Sequence, residues 1–317
     1  MEKIELRKVR DFGAIFNDGI TFLRVNFKSF FGTLLVLAGP FIILTGLLQG
    51  YMQSLQSKLV GANLFSAFGG LGSSAGLLSA NFIGTFSIFL LIYLLTTLVS
   101  SACVCLYFKK YDKATLEELP LQKDSISPFL ATASWRLFYN MIILTLLTAL
   151  IIITLIGIFA VLFMIPILNV LFGIALVIGC IIIFPVLLYI TNIANFLVIR
   201  DEILITQAIR KAIEHMRGNF WWTWLLMLCV GLALLIISAL FSLPLSILNI
   251  TKMFVRARGE VGTDSSIMYL IFGAISLVGQ LLVIFPISTT FCVFNFYSHE
   301  EEKEGSGLLN RIDEIDN

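Results

Sequence analysis

Charged residues fall into clusters along this chain, and the stretches between them are almost wholly apolar. The uncharged stretches run over 29–57, 59–108, 137–199, 218–251 and 265–298. A helix needs about 20 mainly apolar residues to cross a bilayer. The first, fourth and fifth stretches are each sized for one span. The third holds two, hinged near Pro166 and Asn169. The second opens with a segment rich in glycine and serine, 61–84, and holds one span after it. The pattern predicts six transmembrane helices at about 30–50, 82–108, 137–165, 168–198, 222–245 and 267–296. Runs such as Ile151–Ile153 do not alternate as barrel strands do, and a lone helix satisfies its own backbone in lipid. Pro185 is expected to kink the long fourth span.

Amphipathic stretches precede each pair of spans. Val9, Phe12, Phe16, Ile20, Leu23 and Phe27 recur every 3 or 4 residues and form one helical face. Ile205, Ile209, Ile213, Met216 and Phe220 do the same, and Ile126, Phe129, Ala133 and Leu137 give a shorter version. Such helices lie in the plane of the interface with the apolar face in the acyl boundary. Two of these elbows match residue by residue: Ile20-x-x-Leu23-Arg24-x-Asn26-Phe27 with Ile213-x-x-Met216-Arg217-x-Asn219-Phe220. Trp135-Arg136 is a fainter third. The fold class expected is an all-α polytopic membrane protein, its six spans arranged as three elbow-plus-hairpin repeats. Arg24 and Arg217 are candidates to bridge anionic lipid headgroups. Asn26 and Asn219 beside them are candidates to cap the elbow and join the same headgroup site.

Composition narrows the class. Of 317 residues, 58% are hydrophobic and only 13% charged, too few charges to coat a soluble fold of this size. Disorder, coiled coil and a secreted disulfide scaffold are excluded. Of the 21 Lys and Arg, 17 fall on the side that carries both termini and 4 on the other, which places the termini in the cytoplasm. The organisation expected is a cytoplasmic elbow over 1–28, a membrane domain over 29–296 and a solvated acidic tail over 297–317. Lys252, Arg256 and Arg258 sit awkwardly in a short outer loop. Gly46-x-x-x-Gly50 and Gly72-x-x-x-Gly76 permit close helix contact.

Catalytic chemistry is sparse. No Asp, Glu, Lys, Arg or His lies within the six predicted spans, where proton relays and ion-coupled carriers place them. Asn192 and Asn195 share a helix face and read as an interhelical polar cluster. His215 and His299 are the only histidines, which supports neither a metal site nor a Ser–His protease. Gly69-Gly70-Leu71-Gly72 has no following Lys and is no phosphate loop. The five cysteines all fall in predicted spans and read as small apolar packing residues. The elbow carboxylates Asp18, Asp201, Glu202 and Glu214 are the remaining candidates for chemistry. The expectations are no catalytic residue, no metal, no cofactor and no nucleic acid, with membrane lipids and membrane or cytoplasmic proteins as partners.

The segment Val9 to Pro40 carries Phe12-Gly13-x-Ile15-x-Asn17-Asp18-x-x-x-Phe22-Leu23-Arg24-x-Asn26-Phe27. It resembles a group of six-span bacterial inner-membrane proteins similar to the membrane domain attached to some bacterial glycerophosphodiester phosphodiesterases. Those enzymes keep their chemistry in a separate soluble barrel with a His-Arg-Gly signature, which His215-Met216-Arg217-Gly218 does not fit. The resemblance implies fold and bacterial inner-membrane location, and no catalytic residues. The function expected is a non-enzymatic scaffold or accessory subunit. The alternative is a transporter, or its membrane subunit, for an uncharged or lipid-like substrate.

Overall fold

A computed structural model describes residues 3–61, 74–115, 118–163, 166–258 and 266–305. They form helices and no strands: α1 (Phe12–Val25), α2 (Phe27–Leu37), α3 (Gly39–Gly61), α4 (Ser74–Lys113), α5 (Lys123–Phe163), α6 (Pro166–Arg200), α7 (Ile205–Gly218), α8 (Phe220–Ala257), α9 (Ser266–Gly279), a π-helical turn (Gln280–Ile284) and α10 (Phe285–Glu304). Among the described residues, four helices are long and apolar enough to cross a membrane: within α4, at the end of α6, in α8, and in α9 running through α10. The pair α1 and α2, bent by 67°, meets the same measure together. The chain is therefore an all-helical protein with four to five helices suited to a membrane.

Boundaries follow local chemistry. Asp11 starts α1 by accepting a 2.7 Å bond from the Ala14 amide. Asn26 ends it, leaving helical geometry at φ −96° while its amide still bonds the carbonyl of Phe22. Asn219 does the same for α7, bonding the carbonyl of Met216. The middle elbow differs, because α5 runs unbroken from Lys123 through Leu137. Aligned on the Arg of each elbow, the position of Asn26 and Asn219 is taken by Phe138, which has no reason to break the helix. Pro40 has no N–H for the carbonyl of Val36, and α2 gives way to α3 around Ala38. Pro286 denies a donor to the carbonyl of Leu282, and the helix widens to a π turn just before it. The glycine-rich segment is shorter than expected, since α4 begins at Ser74. The rest of that segment, 62–73, lies outside the described residues, as do the first glycine of Gly72-x-x-x-Gly76, the side chain of Arg256 and the tail from 306.

The elbow helices face inward with a different stripe from the expected one. Ile15, Gly19 and Phe22 of α1 are buried, whereas Ile20 is 57% and Phe27 58% exposed. In α7 the inward stripe is Ala208, Ala212, His215 and Met216. Small residues decide this, because they let a helix lie close to its neighbours. A count of large apolar positions passes over them and finds the outer face, the one suited to lipid.

Two compact units divide the chain. The first takes residues 1–32, 101–233 and 287–317, the second 33–100 and 234–286. In the second, α3 lies against α9 at backbone distance. A Cβ on Gly273 would fall 2.5 Å from Gly50 Cα, one on Gly46 would fall 3.1 Å from the Ala274 carbonyl oxygen, and one on Gly50 would overlap the backbone of Leu270. This is the small-residue crossing that Gly46-x-x-x-Gly50 foreshadowed. Thr45 and Thr96 bond at 2.6 Å to tie α3 to α4, and Leu245, Leu248 and Tyr269 close the core where α8 meets α9. At 38 residues α8 is about 57 Å long, well beyond a hydrocarbon core of about 30 Å. Lys252 lies near the far end of this helix rather than in a tight loop.

Gly50→Val is expected to cost more than about 2 kcal/mol, because the backbone of Leu270 has nowhere to move. Gly32→Ala, where a Cβ meets nothing within 4 Å, is expected to be neutral. Thermal melts of the two variants in detergent check this.

Candidate functional site

The last two turns of α10 set the chemistry of the first unit. Phe294, Asn295, Phe296, Tyr297, Ser298, His299, Glu300 and Glu301 are all buried, so this stretch is enclosed on every side. The acidic segment expected to be solvated is thus helical and interior as far as Glu301. A carboxylate in such a place needs a cation. Arg200, at the end of α6, supplies it with two 2.7 Å bonds to Glu300. The same guanidinium bonds Asp201 at 2.6 Å and lies over the rings of Phe296 and Tyr297, 4.9 and 5.5 Å from their centroids. Lys211 of α7 reaches Asp201 at 2.9 Å.

Neighbouring charges are arranged likewise. Glu202 takes Lys109 at 3.1 Å and Arg136 at 3.0 Å, joining α4 and α5 to the turn after α6. Arg7 meets Asp112 at 3.1 Å. The Arg10 side chain is only 1% exposed. It bonds Asp18 at 2.7 Å, gathers the carbonyls of Leu6, Lys8 and Glu5, and lies over Phe294. The Arg10 amide donates to Ser298 at 2.9 Å, fastening the segment before α1 to α10. Glu214 pairs with Arg210 on the exposed face of α7. All four elbow carboxylates are therefore ion-paired. Hydrogen bonds from Arg136 and Lys109 hold Glu202 down at about 2. Partial burial pushes Asp201 up, but hydrogen bonds from Arg200 and Lys211 outweigh it and its pKa is lowered. A general base working near neutrality needs the opposite shift.

His215 is not the exposed elbow residue that its neighbours Lys211 and Glu214 imply. It is buried and stacked on Phe296, ring centroids 4.5 Å apart, and its Nε2 has no hydrogen-bond partner. Burial, with the positive charges of Lys303 and Lys211 adding to it, pushes it down to about 4, so it is neutral at pH 7. His299 lies 3.0 Å from Asn219 Nδ2 and 3.4 Å from Thr223.

Above this layer the polar cluster of α6 is in place. Asn192 accepts from Thr289 of α10 at 2.7 Å, and Asn195 accepts from Asn140 of α5. One face of α6 thereby bonds two neighbouring helices, each bond worth about 1 kcal/mol in a membrane setting. Asn295 adds a 3.3 Å bond to Thr223. Among the headgroup candidates, Arg24 and Arg217 are exposed. Asn26 is buried, its amide donating to Phe22 at 3.2 Å, so it serves the helix end. Asn219 also bonds Glu302 at 3.3 Å. Sequence reasoning missed Arg10, Arg200 and Glu300. Arg200-Asp201-Glu202 directly after an apolar span, and Glu300 at the end of another, were the available signals. Among the described residues no three of His, Cys, Asp and Glu gather as a metal would need.

No family model, curated protein or solved structure matches the chain. Its own fold and its polar interior define a helical membrane protein.

The histidine yields a signed prediction. Its folded pKa lies below the ordinary value near 6.5, so the unfolded chain takes up the proton first, and stability present above pH 6.5 is lost as pH falls toward 4. Glu202 is lost lower, between about 4.5 and 2. His215→Phe keeps the stack and carries no proton. It should flatten the loss of stability between pH 6.5 and 4.5, followed as melting temperature, by on the order of 1–2 kcal/mol after allowance for solvent screening. A wild-type-like slope in the variant would contradict it.

Proposed function

We propose that the chain is a six-span bacterial inner-membrane protein with both termini in the cytoplasm. Its role is that of a non-enzymatic scaffold or accessory subunit that organises protein partners or lipids. The observation that carries the reading is the state of the carboxylates: Asp18, Asp201, Glu202 and Glu300 each hold cations of their own chain. Groups committed to such pairs fasten helices together and are poor proton carriers. His215, neutral and stacked, belongs to the same packing. The three-fold repeat is part of this proposal, and the matched helix ends at Asn26 and Asn219 support its first and third copies. The resemblance to membrane domains whose chemistry resides in a separate barrel fits it.

A second reading has its own observation. Asn140, Asn192, Asn195, Thr223 and Asn295 give the interior of the first unit a polar seam. Such a seam suits the membrane subunit of a transporter for an uncharged or lipid-like substrate.

Purified protein is expected to hydrolyse neither a glycerophosphodiester, a peptide nor ATP, with or without added divalent metal. Co-purification followed by mass spectrometry is expected to recover lipid or a non-ATPase protein partner. Recovery of a stoichiometric ATPase would favour transport. Metal-dependent hydrolysis lost in His215→Ala would overturn the scaffold.

A further inference from the structure

The bend between α1 and α2 creates a groove that nothing above has used. α1 ends at Asn26, and α2 leaves it at 67°. Arg24 and Lys28 flank the bend, four residues apart and both exposed. The opposite wall is the segment Pro120–Gln122. Ser29 holds that wall in place: its hydroxyl bonds the carbonyl of Leu121 and lies 2.9 Å from the Tyr107 hydroxyl. The space enclosed is about 780 Å³. Apart from the two cations, Ser29 and Gln122 its lining is apolar, and among the described residues no carboxylate contributes to it.

That last point sets the groove apart. Arg7, Arg10, Lys109, Arg136, Arg200 and Lys211 are each matched by a carboxylate. At the second elbow, Asn219 beside Arg217 already bonds Glu302, whose charge repels an anion there. At the first elbow two cations stand over an apolar wall without such a neighbour among the described residues. Phe27, 58% exposed, continues that wall outward along the side of α2.

We propose that this groove binds one anionic phospholipid of the inner leaflet. The guanidinium of Arg24 takes the phosphodiester through paired N–H donors, and Lys28 adds a point charge. The acyl chain follows Phe27 and Leu121. A soluble phosphate leaves the apolar wall unused, whereas a phospholipid fills both halves. The proposal rests on the membrane placement above, and names the lipid class that the scaffold organises.

Full-length protein is reconstituted with phosphatidylglycerol or phosphatidylcholine, and retained lipid is counted by native mass spectrometry. Wild type is expected to hold one phosphatidylglycerol in preference to phosphatidylcholine. Arg24→Ala with Lys28→Ala should weaken that retention by on the order of thirtyfold, two basic contacts being removed. Arg24→Lys with Lys28→Arg should keep most of it. Gln122→Trp, on an exposed position of the opposite wall, should block the groove with both cations intact. Lys8→Ala with Lys113→Ala removes two exposed charges elsewhere and should leave retention unchanged. Wild-type retention in the first variant or in Gln122→Trp, or an equal loss in the last, overturns the site. Vesicle flotation tests the membrane placement separately: a chain that fails to float defeats that placement, and one that floats without retaining lipid defeats the groove alone.

Discussion

Arg200 and Glu300 meet where α6 and α10 end, with side chains 11% and 7% exposed. Neither charge is tolerable there without the other. Moving an ion out of water costs several kcal/mol even after relaxation, and a bidentate pair with further hydrogen bonds offsets that cost. The remainder of the charged layer follows from this placement. Asp201 shares the guanidinium and draws in Lys211 of α7. Glu202 then draws in Lys109 and Arg136 from α4 and α5. Asp201, Glu202 and Glu300 thus each tie helices of the unit together through cations from other elements.

The second unit solves the same problem by close approach. In lipid, apolar side chains gain nothing by leaving an apolar solvent, so association must come from contact. Gly46, Gly50 and Gly273 remove the side chains that would hold α3 and α9 apart, and the backbones meet. One unit is fastened by ion pairs and interhelical amides, the other by close approach.

How much of this was legible depends on the range of the interaction. Apolar runs identified α4, α6, α8 and the α9–α10 segment, because burial in lipid is read from composition alone. Asn26 and Asn219 marked helix ends, since a cap is a local event. Gly46-x-x-x-Gly50 announced a close contact but not its partner on α9. The failures are of two kinds. Gly19, Ala208 and Ala212 define the inward stripe of the elbows by being small, which a search for large apolar residues cannot register. Arg10, Arg200 and Glu300 matter through distant partners, Ser298 288 residues from Arg10 and Glu300 100 residues from Arg200, and no spacing rule pairs them. Glu300 illustrates the cost: within a run of three acids it reads as solvated tail, and in the fold it is interior.

The carboxylates that catalysis would need are the ones that hold the unit together. A double-mutant cycle on Arg200→Met and Glu300→Leu, followed by reversible unfolding in mixed micelles, measures that coupling directly. Asp201 keeps Lys211 as a partner in every variant, so the cycle isolates one pair. Arg200→Met should lose about 3 kcal/mol or more by stranding the Glu300 carboxylate, Glu300→Leu less because Asp201 still pairs with Arg200, and the double should lose clearly less than their sum, a coupling of about 2 kcal/mol or more. Losses that simply add would mean the two charges are independently solvated, and the central clamp would not exist.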